Sequence, residues 1–245
     1  MENIKKGLEP LEAIEKAITD KTKAIILNSP NNPSGAVYTE ESLRALNAVL
    51  ERVEKEKSHT IYVVSDEPYV KIVYEGVKVP AISAIFSNSI VVNSFSKSLA
   101  LPGERIGYVA INPAIEGASI LADAMIFCNR TLGFVNAPGL FQKVVAEHLD
   151  DVAGLEAYKE RRDALYEILI DTGYECEKPQ GAFYLFPKAP IEDDVAFCKK
   201  ALEHRLVLVS GTGFGYPGYF RLAYCVSIDT IKNSKESFAA LRKEF

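Results

Sequence analysis

Polar side chains of different chemical kinds follow three short apolar runs in the first half of the chain. The run at 24–27 ends in amides, the run at 61–64 ends in a carboxylate, and the run at 90–92 leads to an amine and a guanidinium. β-branched runs of this length, separated by helical stretches, predict neighbouring strands of a mostly parallel sheet. Because ligands bind beyond the carboxyl ends of such strands, we expect these side chains to converge at one edge of the sheet.

The segment Ser94-Phe95-Ser96-Lys97 places an amine just past the third apolar run. A lysine in this position can form a Schiff base with an aldehyde coenzyme. Arg105 follows closely in the sequence and can bind a phosphate group. Each residue also has a simpler reading: Lys97 as a surface lysine at a strand end, Ser94 as a turn residue and Arg105 as half of a surface ion pair.

Three other side chains suit a pyridine coenzyme. A carboxylate at Asp66 can keep a pyridine nitrogen protonated, which makes the ring an electron sink. Tyr69 and Asn32 can hydrogen-bond an oxygen on the same ring. The alternatives are a turn or cap aspartate, a packed aromatic and a turn-forming asparagine in Asn-Pro-Ser-Gly.

Arg221 lies in a predicted strand of aromatic and aliphatic residues, 218–224. A buried charge without a partner is costly, so this guanidinium needs one. A substrate carboxylate held by two hydrogen bonds is one candidate. A structural salt bridge is the other.

Composition and charge narrow the class of protein. The chain has 245 residues, is 48% hydrophobic and carries a formal net charge of -5, which argues against nucleic acid as a partner. The four cysteines form no CxxC pair, and the histidines lack ligand spacing, so no metal site is expected. The first residues lack the apolar core of a signal peptide, and the apolar stretch 114–128 is too short and too charged to span a membrane. We therefore expect a cytoplasmic protein without a membrane partner.

The pattern of elements changes along the chain. Helical and strand patterns alternate up to about residue 150, with Thr39 as the predicted N-cap of a long amphipathic helix. A charged amphipathic helix at 155–170 follows, and the remainder predicts a compact α+β unit. The predicted strands of this unit are 181–186, 206–210 and 219–226, and the predicted helices are 193–205 and 229–243.

The order and spacing of these motifs resemble those of the pyridoxal-phosphate-dependent aminotransferases of the aspartate aminotransferase superfamily, fold type I. The resemblance runs from about Leu8 to the C-terminus. It implies an α/β fold: part of a large, αβα pyridoxal-phosphate-binding domain with a mostly parallel sheet at 1–152, and a small α+β domain at 153–245. The matching segments are Asn32-Pro33-Ser34-Gly35, Asp66-Glu67-Pro68-Tyr69, Ser94-Phe95-Ser96-Lys97, Arg105-Ile106-Gly107-Tyr108, Pro179-Gln180-Gly181-Ala182-Phe183-Tyr184 and Phe220-Arg221-Leu222.

The resemblance implies pyridoxal 5'-phosphate as the coenzyme, with Lys97 as the catalytic residue that forms the Schiff base and removes the substrate α-proton. Asp66 resembles the partner of the pyridinium nitrogen. Asn32 and Tyr69 resemble the residues that bond the ring oxygen. The bond between Asn32 and Pro33 is expected to be cis.

The same resemblance covers the phosphate and the substrate. Ser94 and Arg105 resemble phosphate ligands, while Arg221, with Asn32 beside it, resembles the anchor of the substrate α-carboxylate. The implied reaction moves an amino group between an amino acid and a 2-oxo acid. The implied assembly is a homodimer.

The match covers the C-terminal three fifths of the family pattern. The earlier part supplies a Gly/Ser-rich phosphate loop, a ring-stacking aromatic and a tyrosine reaching in from the partner subunit, and the Gly-rich segment 211–215 lies at the wrong place in the order to replace that loop. We therefore expect self-association or marginal stability through uncovered apolar faces, and weak coenzyme affinity. Other readings stay open: a carbon–sulfur lyase or decarboxylase of the same fold type, an inactive fragment, or the effector-binding half of a transcription regulator.

Overall fold

The computed structural model describes residues 10–245, which form two sheets and the helices that cover them. The strands are β1 Ala24–Asn28, β2 Tyr62–Asp66, β3 Ser89–Ser94, β4 Gly107–Ile111, β5 Tyr184–Leu185, β6 Val209–Ser210 and β7 Phe220–Ala223. The helices are α1 Leu11–Ala17, α2 Glu40–Lys57, α3 Phe95–Ser98, α4 Ala118–Thr131, α5 Gly139–Glu147, α6 Leu155–Asp171, α7 Asp194–Ala201, α8 Ile228–Asn233 and α9 Lys235–Arg242.

The first sheet has the strand order β1-β2-β3-β4. Its first three strands are parallel, and β4 runs antiparallel to β3. The register pairs Asn28 with Asp66 at the ends of β1 and β2, while β3 ends at Ser94. The predicted α/β fold with a mostly parallel sheet is confirmed, and the three predicted polar segments leave the sheet at its carboxyl end.

Helix α2 covers this sheet through one apolar face. Its buried residues recur at helical spacing: Leu43, Leu46, Leu50 and Val53. The predicted N-cap is confirmed, since the Thr39 side chain accepts a hydrogen bond from the Ser42 backbone N–H over 3.2 Å. The face packs with Leu27 and Val63 of the sheet in one core.

The second sheet is antiparallel, with the order β5-β7-β6. Its core takes in buried residues of α6 and α9, such as Leu169 and Leu241. It also takes in Tyr69 and Ile72 from the segment after β2. The two sheets are therefore joined through the segment that carries a predicted site residue.

The strands of the second sheet are shorter than predicted. The strand predicted at 181–186 is reduced to β5, and the left-handed φ of 59° at Ala182 interrupts the extended backbone before it. The strands predicted at 206–210 and 219–226 are likewise reduced to β6 and β7.

Two predicted helices differ from those observed. The helix predicted at 229–243 is divided into α8 and α9 at Ser234, whose hydroxyl donates to the Ile231 carbonyl at the end of α8. The helix predicted from Ala114 begins at Ala118, because Gly117 has a φ of 72°. The long helix predicted at 155–170 is confirmed as α6.

Among residues 10–245, no helix combines the length and the apolar character that crossing a bilayer requires. The same residues contain no group of three or more potential metal ligands. The bond between Asn32 and Pro33 is cis, and so is the bond between Ser29 and Pro30. The predicted domain boundary between residues 152 and 153 stays a prediction.

Candidate functional site

Asp66 ends β2 beside Asn28, the last residue of β1. Nδ2 of Asn28 donates to Oδ2 of Asp66 over 3.1 Å and to the Asp66 carbonyl over 3.0 Å. Sequence reasoning named the amide-rich segment but did not single out Asn28. Its position at the end of an apolar run was the signal that could have found it.

The Asp66 carboxylate has no cationic partner within the described part of the chain. Partial burial raises its pKa, because desolvation disfavours the charged form and no opposite charge compensates. Glu67 beside it behaves similarly: burial raises its pKa, and its one side-chain partner is the hydroxyl of Ser65. A carboxylate of this kind can accept a proton or a hydrogen bond from a bound cation.

Asn31, not Asn32, forms the turn after β1. Oδ1 of Asn31 accepts from the backbone N–H and the hydroxyl of Ser34, and its carbonyl accepts from Gly35 N–H. The Asn32 side chain takes no part in these turn hydrogen bonds. Its backbone N–H donates to Oδ1 of Asn28 over 2.7 Å, which fixes it next to the Asp66 pair.

The turn is held against the segment 179–181 of the second half of the chain. The backbone N–H groups of Gln180 and Gly181 both donate to the Gly35 carbonyl, at 3.0 and 2.9 Å. A Cβ on Gly35 would lie 2.3 Å from Cβ of Pro179, so only glycine fits this approach. Asn32 is thereby placed relative to both sheets.

Arg221 projects from β7 toward Asn32. Its Nη1 donates to Oδ1 of Asn32 over 2.9 Å. The guanidinium carbon lies 4.6 Å from the centroid of the Tyr184 ring and 4.8 Å from that of Phe214. No carboxylate among residues 10–245 forms a salt bridge with Arg221, so the structural salt bridge that was the alternative reading is not observed there.

Tyr184 connects Arg221 to Tyr69. The two tyrosine hydroxyls lie 3.0 Å apart and share a hydrogen bond. Burial, followed by this bond, raises the pKa of Tyr69, so its hydroxyl stays protonated at neutral pH. A protonated phenol can donate a hydrogen bond to an anionic oxygen.

Lys97 lies in α3, immediately beyond β3, and is half-buried. Its Nζ is 5.2 Å from the ring centroid of Phe183 and 6.0 Å from that of Tyr69. It forms no salt bridge within the described residues. The amine therefore faces an aromatic wall, unlike the surface lysine that was the alternative.

Ser94 and Arg105 lie at the same end of the sheet as Lys97. Ser94 caps α3, accepting from Ser96 N–H, and its hydroxyl donates to the Ser96 hydroxyl over 2.7 Å. Arg105 is exposed and donates from Nη1 to the Pro102 carbonyl. It has no carboxylate partner among residues 10–245, which leaves most of its donors available.

The structure thus links most of the predicted site residues through one contact series. The series runs from Lys97 past Tyr69 and Tyr184 to Arg221, and then past Asn32 and Asn28 to Asp66. Ser94 and Arg105 are joined to it through the backbone of β3, α3 and β4, because Ser94 pairs with Gly107. Sequence reasoning did not single out Asn28, Phe183, Tyr184 or Phe214, although all four lie in segments it had quoted.

Comparison with known proteins gives a consistent picture. The model of the family described as aminotransferase class I and II matches residues 9–238. The aspartate aminotransferase of Bacillus subtilis is 36% identical over 239 residues, covering 92% of this chain and 58% of that protein. The chain therefore spans about three fifths of the length of this relative.

Solved structures agree with this match. An amino transferase from Eubacterium rectale is 45% identical with a TM-score of 0.92, over 96% of this chain and 59% of the other. An aromatic aminotransferase from Pyrococcus horikoshii is 28% identical with a TM-score of 0.81, over 97% and 64% of the two chains.

Proposed function

The chain belongs to the class I and II aminotransferase family, and from this premise we propose that it carries most of the coenzyme and substrate site of a pyridoxal-phosphate-dependent aminotransferase. The proposed reaction moves an amino group between an amino acid and a 2-oxo acid. The observation that carries the proposal is the contact series from Lys97 through Arg221 to Asp66.

The residues fit the coenzyme chemically. The Asp66 carboxylate is partly buried without a cation, and a protonated pyridine nitrogen would supply the missing charge. When bound, pyridoxal 5'-phosphate supplies an aldehyde that reacts with amines and a ring that accepts electron density. Asn32 and Tyr69 are the proposed donors to the ring oxygen, and Ser94 and Arg105 are the proposed phosphate ligands.

Lys97 is the proposed catalytic residue. Its amine would hold the coenzyme and then, once free, move a proton from the α-carbon of the substrate. The aromatic wall of Tyr69 and Phe183 excludes water from one side of the amine. Exclusion of water from this side keeps solvent from competing for the proton that moves between the amine and the carbon acid.

Arg221 is the proposed anchor of the substrate α-carboxylate. Asn32 accepts from Nη1 only, so the remaining guanidinium donors can form a bidentate pair with a carboxylate. A carboxylate is common to all amino acids and 2-oxo acids, so this anchor selects the class of substrate. Aspartate is a candidate substrate because relatives are described as aspartate aminotransferases.

A homodimer is part of the proposal. Helix α4 has no buried residue, and large apolar side chains in it and just after it are exposed to solvent: Ile120 is 73% exposed, Phe127 69% and Phe134 73%. Apolar surface of this extent is typical of a face covered by protein. Sedimentation would check the proposal, which requires a species larger than one chain.

Domain organisation and location complete the proposal. A boundary between residues 152 and 153 is supported by the separation of the two sheets, at 24–111 and 184–223, and by the start of α6 at Leu155. A cytoplasmic location is supported by four cysteines that are all free thiols.

Titration with pyridoxal 5'-phosphate tests the function. We expect weak visible absorbance changes in the wild-type chain and none in Lys97→Ala. Addition of an amino acid should then release at most one equivalent of the matching 2-oxo acid per site, and continued release should require a second 2-oxo acid as amino acceptor. Release of ammonia, sulfide or carbon dioxide would instead favour the lyase or decarboxylase alternative, and absence of any Lys97-dependent signal would favour a non-catalytic fragment.

A further inference from the structure

Asp194 is a buried carboxylate outside the contact series. It is the first residue of α7 and is 2% exposed. Its Oδ2 accepts from the Thr212 backbone N–H over 2.8 Å, and its Oδ1 accepts from the Thr212 hydroxyl over 2.7 Å and from Gly218 N–H over 3.2 Å. One side chain therefore ties together both ends of the loop that joins β6 to β7.

The loop between these two anchors carries Phe214 to Arg221. Its first half is a 3-10 turn, Gly211–Phe214. The Phe214 ring lies 4.8 Å from the guanidinium carbon of Arg221 and packs edge-on against Phe186, with centroids 6.4 Å apart. The position of the ring on the guanidinium thus depends on where the loop is held.

The loop backbone has little freedom at its start. A Cβ on Gly211 would lie 2.2 Å from the Tyr216 carbonyl oxygen, and the Gly211 N–H donates to the Tyr219 carbonyl over 2.7 Å. Thr212 follows directly and is bound to Asp194 twice. A shift at Asp194 therefore moves Thr212, which lies two residues before Phe214.

We propose that Asp194 is a positioning residue for Arg221, acting through the 211–218 loop and the Phe214 ring. The ring covers part of the guanidinium, limits its rotation and leaves its free donors directed at the ligand. That Arg221 binds a substrate carboxylate rests on the proposed function. That Asp194 positions Arg221 does not.

The charge of Asp194 suits this role. Burial alone raises its pKa, but the hydrogen bonds from Thr212 and Gly218 outweigh burial and leave the pKa below its ordinary value. The group is therefore an ionised acceptor for all three donors near neutral pH. An amide at this position replaces an acceptor oxygen by a donor and cannot satisfy the same three groups.

The exposure of the Arg221 guanidinium can be measured by its rate of reaction with phenylglyoxal, followed by peptide mapping and mass spectrometry of the whole chain without coenzyme. Two other arginines are internal references in every sample. Arg44 is exposed and reports reagent activity, while Arg162 is fully buried and reports unfolding.

Four variants test the pathway from Asp194 to Arg221. In Asp194→Asn and in Thr212→Val, which removes one donor and leaves the carboxylate, we expect Arg221 to react several-fold faster than in the wild type. In Phe214→Leu we expect a similar increase, because the ring itself is lost. Phe214→Tyr keeps a ring and should keep the slow rate.

Asp193→Asn is the matched control, since Asp193 precedes Asp194 and caps α7 by accepting from Ala196 N–H. It should leave the Arg221 rate unchanged. If Arg162 also reacts faster in Asp194→Asn, that variant has unfolded, and the result for Thr212→Val is used instead. The proposal is overturned if Arg221 keeps its wild-type rate in folded Asp194→Asn and Thr212→Val, or in Phe214→Leu. Neither result touches the proposed function, whose own test is the Lys97-dependent absorbance.

Discussion

Nη1 of Arg221 donates a hydrogen bond to Oδ1 of Asn32 over 2.9 Å, joining residues 189 positions apart in the chain. Asn32 belongs to the turn after β1, and Arg221 belongs to β7 of the second sheet. The proposed substrate anchor is therefore fixed by the proposed coenzyme-binding part of the chain. Any movement of one sheet relative to the other changes the site.

Replacing Asp66 by asparagine should weaken coenzyme binding. The loss of a charged hydrogen-bond partner for the ring nitrogen should raise the dissociation constant of pyridoxal 5'-phosphate roughly 10- to 100-fold. A fluorescence or absorbance titration measures this. Glu67→Gln is the matched control, because it neutralises the neighbouring half-buried carboxylate, and an equal loss in that variant would contradict the role of Asp66.

The same substitution should stabilise the chain without coenzyme. Because burial raises the pKa of Asp66, the folded state binds the proton more tightly than the unfolded state, and this group's contribution is lost as pH rises through the folded pKa. At neutral pH the ionised Asp66 carboxylate is partly buried, which costs stability. Asp66→Asn removes this cost and should raise the free energy of unfolding by less than about 1 kcal/mol. Urea unfolding at pH 7 measures it, and a clear loss of stability would refute this expectation.

Acidification should weaken the ion network around Arg162. Burial raises the pKa of Asp163, but hydrogen bonds from Lys178, Lys159 and Arg162 outweigh burial and hold the pKa well below its usual range. A lowered pKa contributes stability above the unfolded value, about 3.9, that is lost as pH falls through the folded pKa. The free energy of unfolding should therefore decrease as the pH is lowered beyond about 4.

The variant Asp163→Asn isolates that contribution. It should lose roughly 3 kcal/mol at pH 7, because Arg162 is fully buried and loses a charged partner, and it should show a flatter dependence on pH. Asp171→Asn is the control, since Asp171 lies in the same helix in an exposed pair with Lys235. Similar pH slopes for Asp163→Asn and the wild type would contradict the assignment.

Gly35→Ala should separate the Asn32 turn from segment 179–181. The new Cβ would lie 2.3 Å from Pro179 Cβ at a residue with a φ of 69°, so we expect a loss of roughly 3 kcal/mol or more in unfolding free energy. Gly76→Ala matches it, because Gly76 has a φ of 71° but no atom within 4 Å of the added Cβ, and should cost about 1 kcal/mol. Equal losses in thermal or urea unfolding would show that the contact with Pro179 is unimportant.

The sequence predicted the residues that stand at strand ends better than those that meet through packing. Asp66 and Lys97 follow buried strands, and parallel strands bring their carboxyl ends together by a general rule. Tyr184 and Phe214 reach Arg221 from separate elements, and nothing in their local spacing indicates it. The strand at 181–186 was overestimated for a related reason, because Ala182 is left-handed and its carbonyl is bound by a residue from another element, through the Tyr74 hydroxyl.

The roles of single residues stay predictions. For Asn32 and Arg221 the fold adds contacts that the sequence could not give, since Asn31 forms the turn and Asn32 pairs with Arg221. The motif order, by contrast, was sufficient to indicate the family, because the family model matches the same stretch of chain. Several motifs in a fixed order rarely occur together by chance, whereas a single residue type at one position often does.

Reductive trapping tests the central claim most directly. The chain is incubated with pyridoxal 5'-phosphate, reduced with borohydride and mapped by mass spectrometry, which captures weak adducts irreversibly. If Lys97, Asp66 and Arg221 converge on one site, as proposed, the adduct should form mainly on the Lys97 peptide and should be less abundant in Asp66→Asn. Adducts spread over surface lysines such as Lys21 and Lys78, with none enriched at Lys97, would contradict it.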